Sequence, residues 1–374
     1  MKKTFVLMAA VAALMVPGFS SAQNPTVALL ETVDLSGLGS LVTGVATNGS
    51  DAYVVSFSDR RVIKVTGAVT TSRSTAVLAR TDSADTNPAP LAGTQTWAAG
   101  RGLITADFRD GKLLVSGQAG AIGDRGVALI VNPDTGALVN ELATGLDGGN
   151  NFATGGACFY DADSILASYT AGTNYFSIGG DLQSLQGGGF VGGPNNPSFN
   201  EVARDLVGTT NGSGQAEVYV AYNTAFLGGT VQIGLHRLVD TDADGVIEGT
   251  AAGDTQNASW YTLAPVADAG SSVTGTAILN HIASGKKYVA LCNRGDGKVG
   301  LVNTANSADN VALDISATVT RPGDVAFATV GSSQFMLVTE FDGAENNLHI
   351  FGIDGAALVS SVPTLSAEGW ENYQ

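Results

Sequence analysis

The chain has 374 residues and a formal net charge of −16, with 34 acidic against 18 basic side chains. A field of that sign repels nucleic acid and anionic lipid, so we exclude both as partners. Only 14% of the residues are charged and 49 are glycine, which indicates an ordered, turn-rich protein and not a disordered one.

The N-terminal segment has the features of a secretory signal peptide. Two lysines precede an apolar run, and small residues at Ser20 and Ala22 favour cleavage before Gln23. We therefore expect residues 1–22 to be removed. Residues 23–374 are then expected to form one exported domain in the periplasm, at the cell surface or outside the cell, without membrane insertion.

A unit of about fifty residues recurs six times along the rest of the chain. Each copy has a short apolar strand, a polar turn, a strand rich in Val, Leu and Tyr, a Gly/Asp/Asn turn and a third strand. The copies start at Thr43, Arg101, Thr154, Arg204, Thr274 and Arg321. Stretches such as "AYVVSF" and "EVYVAY" have the alternation typical of half-buried strands.

Such repeats predict an all-β fold, namely a six-bladed β-propeller with four-stranded antiparallel blades. Seven blades are the alternative if residues 65–100 contain a further unit. We expect residues 24–42 and 356–366 to supply the strands that close the ring.

One copy resembles the repeat of the YVTN family, which runs Tyr-Val-x-Asn, a glycine turn and Val-x-Val-Ile-Asp-Thr. The segment "KKYVALCNRGDGKVGLVNTANSADNV", residues 286–311, carries the matching residues in order, although "ALCN" spreads the motif by two residues. These residues are Tyr288, Val289, Asn293, Gly297, Val299, Val302 and Thr304. The other copies match in outline. The resemblance implies a propeller of surface or periplasmic proteins, many of which are binding modules.

The fourth copy contains an acidic insertion near residues 239–256, which begins in the stretch "HRLVDTDADGVIEGT". As a calcium loop it places Asp240, Asp242 and Asp244 at positions 1, 3 and 5, Gly245 at the turn, the Val246 carbonyl at position 7 and Glu248 at position 9. The bidentate glutamate of an EF-hand is missing. We predict a structural calcium ion, and the alternative is a solvated Asp-rich turn.

The first residues of the copies alternate between threonine and arginine, and in a propeller they would lie near the mouth of the central channel. Arg101, Arg204 and Arg321 would there form a positive pocket for an anionic ligand, flanked by Thr43, Thr154 and Thr274. The alternative is that each arginine pairs locally, with Asp107, Asp205 and Asp324 as near candidates.

Other reactive side chains give no catalytic pattern. His236, His281 and His349 share no metal-ligand spacing and are expected at the surface or rim. Cys158 and Cys292 fall two copies apart and are expected to be buried free thiols.

These features favour a secreted, non-enzymatic binding or scaffold propeller, although catalysis stays open. Its expected partner is an anionic small molecule, a glycan or a protein, bound at the channel mouth. The alternative is a calcium-dependent hydrolase or lactonase of the six-bladed type, which would need several carboxylate or amide side chains converging in the channel.

Overall fold

The structure is a computed structural model. It describes residues 23–81, 99, 102–118, 126–143, 156–168, 175–178, 202–223, 233–247, 253–262, 275–340 and 346–360. The predicted signal peptide lies outside these ranges. No helix in the described ranges is long and apolar enough to span a bilayer.

All regular structure in the described ranges is β, and 23 strands follow one another along the chain. In chain order they are β1 (Val27–Asp34), β2 (Val42–Thr47), β3 (Ala52–Ser56), β4 (Arg61–Thr66), β5 (Ser74–Arg80), β6 (Gly102–Arg109), β7 (Lys112–Gln118), β8 (Gly126–Val131), β9 (Leu138–Ala143), β10 (Ala157–Phe159), β11 (Ile165–Ser168), β12 (Tyr175–Ile178), β13 (Val202–Thr210), β14 (Ala216–Asn223), β15 (Ile233–Val239), β16 (Thr255–Thr262), β17 (Thr276–His281), β18 (Lys286–Asn293), β19 (Lys298–Asn303), β20 (Asn310–Asp314), β21 (Pro322–Val330), β22 (Ser333–Glu340) and β23 (Asn347–Ile353).

The strands form antiparallel sheets that surround a common axis. The first sheet is β2–β5, the second β6–β9, the third β10–β12, the fourth β13–β16, the fifth β17–β20, and the sixth is β21–β23 with β1 as its outermost strand. The first strand of each sheet contacts the first strand of the next, and β21 contacts β2, so these inner strands form a closed ring. This arrangement is a β-propeller.

The prediction of six four-stranded blades is confirmed in part. Five sheets have four strands, whereas the third has three within the described residues. Residues 179–201, which follow its last strand, lie outside those residues. The seven-blade alternative is wrong. Strands β4 and β5 belong to the first sheet, and β2 directly contacts β6, so within the described ranges no further blade lies between the first and second sheets.

The N-terminal strand closes the ring by pairing with the C-terminal sheet. Strand β1 runs antiparallel to β23, with Val27 opposite Ile353 and Asp34 opposite Asn347. At the other end of the chain, Val359 forms a single parallel bridge with Thr70 of the first sheet. The N-terminal segment therefore pairs with the sixth sheet, and the C-terminal segment contacts the first sheet. These contacts agree with the expectation that residues 24–42 and 356–366 help to close the ring.

The hydrophobic core is divided into layers, each between two neighbouring sheets. On β14, Val218 and Val220 pack toward the third sheet, whereas Tyr219 and Ala221 pack toward the fifth. Alternating residues point to opposite faces of a strand, and here both faces are covered. The interpretation of these strands as half-buried was therefore wrong.

The three histidines are buried, so the expectation of surface or rim positions was wrong. Two of them lie beside a carboxylate, and the third stacks on a tyrosine ring. His281 Nε2 lies 2.6 Å from Asp354 Oδ2, and His349 Nε2 lies 3.2 Å from Glu340 Oε2. The ring of His236 stacks on Tyr222, with 4.1 Å between centroids. Both cysteines are buried and free, as predicted.

Candidate functional site

The predicted channel-mouth threonines and arginines lie only partly within the described residues. Thr43 is 3% exposed, and its hydroxyl donates a 3.1 Å hydrogen bond to the Leu103 carbonyl of the second sheet. It therefore joins two sheets and does not face a ligand. Thr154 and Thr274 lie outside the described residues.

Of the three arginines, Arg321 is described with its side chain. It is half-buried and immediately precedes β21. Arg204 lies on β13, but its side chain is outside the described set, as is the whole of Arg101. The convergence of three guanidinium groups at the channel mouth stays a prediction.

Aspartates on alternate inner strands connect neighbouring sheets, a role that the sequence did not indicate. Asp205 Oδ2 accepts a 2.7 Å hydrogen bond from the backbone N–H of Thr276 in the fifth sheet. Asp324 Oδ2 accepts one of 2.7 Å from Val45 in the first sheet. Asp107 Oδ2 accepts one of 2.8 Å from Phe159 in the third sheet. The second, fourth and sixth sheets thus each hold the next sheet through a carboxylate.

Burial raises the pKa of all three carboxyl groups. Asp205 and Asp324 are 4% and 3% exposed, and the two groups also repel each other as anions. The pKa of Asp324 rises to about 8, and that of Asp205 rises well above its usual value. Desolvation is the largest cause in both cases and outweighs the backbone hydrogen bonds, which favour the charged form.

The central cavity is small, and most of the residues that line it have apolar side chains. Its volume is about 200 Å³, and five of the inner strands line it with residues such as Val45, Ala277 and Val325. Asp107 is its one acidic lining residue in the described part of the chain. Asp107 is half-buried inside the ring, and desolvation there raises the pKa of its carboxyl group. Its oxygens accept hydrogen bonds from Phe108 and Phe159.

The acidic loop connects β15 to β16 and brings its three aspartates together. One carboxylate oxygen from each of Asp240, Asp242 and Asp244 lies within 4.8 Å of the others. Asp240 is 3% exposed, whereas the other two are exposed. Gly245 has a φ of 88°, in the left-handed region that glycine adopts without strain. Val246 is half-buried in the described loop, and Glu248 lies outside it.

The two oxygens of the Asp240 carboxylate differ in their hydrogen bonding. Asp240 Oδ2 accepts a 3.0 Å hydrogen bond from Gly245 N, whereas Asp240 Oδ1 is buried without a hydrogen-bond partner among the described residues. Burial raises the pKa of Asp240, and the neighbouring Asp244 and Asp242 raise it further. The three carboxylates therefore crowd one another within the loop.

A wide groove lies between the fourth and fifth sheets, on the same face as the acidic loop. Its volume is about 810 Å³. The turns between β13 and β14, between β17 and β18 and between β19 and β20 form its walls, with hydroxyl and amide groups from Ser213, Asn303 and Asn306. Sequence analysis missed this groove because its walls come from separate copies.

The groove contains one indole ring and three cationic side chains. Trp260, on the outermost strand β16, is half-buried and packs against Tyr219 with ring centroids 5.0 Å apart. Arg237 is paired with the buried Glu217, and Lys286 Nζ lies 2.8 Å from Asp309 Oδ2. These two cations are therefore neutralised locally.

Lys287 differs from the other two cations in the groove. Its Nζ donates to Thr210 O at 2.7 Å and to Thr209 Oγ1 at 3.2 Å, and both acceptors are uncharged. Lys64 and Lys112 reach the neighbouring sheet in the same way, but there Asp134 and Asp163 supply a carboxylate. Within the described ranges no carboxylate lies within 4.0 Å of Lys287 Nζ. The groove thus keeps a positive charge in an acidic protein.

No family model and no curated protein matches the chain. The resemblance to YVTN repeats therefore stays a prediction.

Solved structures show similarity in fold. A protein of unknown function from Dyadobacter fermentans aligns with a TM-score of 0.54 at 10% identity, over 88% of this chain and 99% of that one. An α-L-arabinanase from Penicillium chrysogenum, solved with arabinobiose, aligns with a TM-score of 0.52 at 11% identity, over 87% and 98%. The β-propeller domain of Cps50 (Swd1) from Myceliophteria thermophila gives 0.43 at 12% identity, over 83% and 82%. The closed ring of sheets shows a β-propeller. At 10% and 11% identity, the two alignments with TM-scores above 0.5 show similarity of fold alone.

Proposed function

We propose that this protein is an exported, non-catalytic propeller that binds an acidic saccharide in the groove between the fourth and fifth sheets. The observation that carries the proposal is the pairing of Trp260 with Lys287 in one groove. The indole offers an apolar surface for the C–H face of a sugar ring, and the lysine offers a charge that no described carboxylate neutralises.

The remaining lining suits a polyhydroxylated ligand. Hydroxyl, amide and backbone groups from three turns can donate and accept hydrogen bonds along its length, as the hydroxyl groups of a saccharide require. The volume of about 810 Å³ is within the range of about 300–1,000 Å³ that ligand sites occupy. A carboxylate or sulfate group on the ligand would pair with Lys287.

The groove replaces the channel mouth as the proposed site. Thr43 is engaged between sheets, and the central cavity of about 200 Å³ is too small for a saccharide chain.

The hydrolase alternative requires channel carboxylates that are free to hold a cation. Both oxygens of Asp107 and of Asp324 accept backbone hydrogen bonds, and those of the buried Asp205 accept from Thr276 and Leu206. These groups act as links between sheets, so we favour binding over catalysis.

The test is calorimetric titration with uronic-acid oligosaccharides, sulfated oligosaccharides and neutral oligosaccharides of equal length. We expect the acidic members to bind more tightly. Trp260→Ala should weaken binding of every member by about tenfold, equivalent to about 1.4 kcal/mol. Lys287→Met should remove the preference for acidic over neutral members.

Lys112→Met is the matched control, because Lys112 also bridges two sheets through a carbonyl but lies outside the groove. It should bind like the wild type. The proposal is wrong if no member of the panel binds, or if Lys287→Met and Lys112→Met have the same preference.

A further inference from the structure

The hairpin loop between β15 and β16 has the donor set and spacing of a cation site. One oxygen from each of Asp240, Asp242 and Asp244 lies within 4.8 Å of the others. Oxygen ligands lie about 2.3–2.6 Å from calcium, so two ligands on one ion are separated by at most about 5 Å. The three carboxylates can therefore reach a single ion without rearrangement of the backbone.

A second observation distinguishes this loop from an ordinary acidic turn. Asp240 is 3% exposed, and its Oδ1 has no hydrogen-bond partner in the described part of the chain. A buried carboxylate oxygen without a donor is costly, and such oxygens are normally satisfied by protein, water or an ion. The other oxygen already accepts from Gly245 N. The Asp240 carboxylate lies beside those of Asp242 and Asp244, so the natural partner of its unsatisfied oxygen is a cation.

The loop is anchored independently of any ion. Ile247 is fully buried in the layer between the third and fourth sheets. On the opposite side, Thr241 N donates a 3.0 Å hydrogen bond to Asp254 Oδ1, and the hydroxyl groups of Thr241 and Thr255 lie 2.8 Å apart. The aspartates are thus positioned before an ion arrives, which lowers the entropy cost of binding.

We propose that this loop binds one calcium ion through Asp240, Asp242 and Asp244. The donors are all oxygen, as a hard cation requires. Asp242 and Asp244 are exposed, so water can complete an irregular shell of six to eight ligands. Magnesium needs a nearly ideal octahedron of shorter bonds and fits this open arrangement less well.

The ion would stabilise the hairpin that the loop closes. Strand β15 leads into the loop and carries Arg237, and strand β16 leaves it and carries Trp260. The site does not depend on the groove binding a saccharide, since calcium can be measured alone.

Calcium binding is tested on the full mature chain after removal of metal by a chelator. Titration calorimetry with calcium chloride should give one ion per chain. Calcium at millimolar concentration should raise the thermal midpoint by about 3 °C, with magnesium at the same concentration giving a smaller shift. Asp242→Ala should lose both the heat of binding and the shift.

Asp296→Ala is the matched control, because Asp296 is an exposed aspartate in another hairpin turn. It should behave like the wild type. If Asp242→Ala does not fold, Asp244→Asn removes one charge with little change of shape and should weaken calcium binding at least tenfold. Absence of binding at 10 mM calcium, an equal response to magnesium, or retained binding in the aspartate variants would overturn the proposal.

Discussion

The carboxylate of Asp324 accepts the backbone N–H of Val45 at 2.7 Å, although the two residues are 279 positions apart in the chain. The bond joins the sixth sheet to the first, where the ring closes. The same relationship recurs between Asp205 and Thr276. Ring closure therefore depends on buried polar contacts at the axis as well as on the apolar layers between sheets.

Stability should fall as pH rises, because of these buried carboxyl groups. The folded-state pKa of Asp324 is about 8, above the usual value of 3.8. The folded protein thus retains protons that the unfolded chain releases from about pH 4 upward. Protonation favours the folded state, so this stabilisation is complete below pH 4 and is lost as pH rises through about 8. Over this interval the free energy of unfolding falls by up to about 1.4 kcal/mol per pH unit for each retained proton.

Urea unfolding at intervals between pH 5 and pH 9 measures this slope. Asp324→Asn cannot titrate and should give a shallower dependence than the wild type. Its overall stability should be lower, because the new side-chain amide nitrogen cannot accept a hydrogen bond. It would face the backbone N–H of either Val45 or Val325, which the carboxylate now accepts. The slope is therefore the readout, and equal slopes in the two proteins would contradict a raised pKa at Asp324.

The close approach of the fifth and sixth sheets requires glycine at position 275. A Cβ atom on Gly275 would lie 2.0 Å from Asp324 Oδ1 and 2.3 Å from Asp324 Cα. Gly275→Ala should therefore lower the free energy of unfolding by about 3 kcal/mol or more, because the clash includes backbone.

Gly300→Ala provides the control on strand β19, where the nearest atom to an added Cβ is Leu291 O at 3.8 Å. That variant should change stability by less than about 1 kcal/mol. Equal losses in the two variants would show that replacement of a glycine in itself, and not the contact with Asp324, causes the effect.

The strands and turns of this fold could be predicted from sequence because their signals are local. The alternation in "EVYVAY" marks β14, and the pair Asn211-Gly212 marks the turn before it. Local alternation cannot show whether one or both faces of a strand are covered, since that depends on the neighbouring sheets. The middle strands were therefore expected to be half-buried.

The site residues were harder to predict because sheets from distant copies supply them. Asp205 and Asp324 were identified only as partners for nearby arginines, since nothing in the sequence places Thr276 or Val45 beside them. The aspartates that link neighbouring sheets also alternate between copies, since they lie in the second, fourth and sixth sheets. For the groove, the one available signal was Trp260, an aromatic residue on an outer strand. The acidic loop was recognised because all its residues lie in one turn.

The two cysteines should be unreactive in the folded protein. Burial raises the pKa of Cys158 and Cys292 well above the usual value, and the nearby Asp205 raises both further. Only the thiolate attacks a disulfide reagent, so neither residue should react while the chain is folded. Ellman's reagent should label no thiol in native buffer and two in urea. Rapid labelling of the native protein would show that at least one thiol is reachable from solvent.

Removal of β1 should open the sixth sheet. This strand pairs with β23 over its whole length, and Val27 packs against the layer between the fifth and sixth sheets. The backbone of Thr26 also donates to Asp354, which in turn contacts the buried His281. A chain that begins at Ser36 lacks these contacts and exposes the edge of β23, so it should unfold at lower temperature and associate more readily.

A synthetic peptide of residues 23–36 tests whether pairing with β23 is the cause. Added to the shortened chain, it should restore the thermal midpoint in a concentration-dependent way, because it supplies the missing strand. A peptide with Val27 and Val33 replaced by lysine should restore less, because both side chains pack into layers between sheets when β1 pairs with β23. If both peptides are inactive and the shortened chain melts like the full one, β1 does not hold the ring closed.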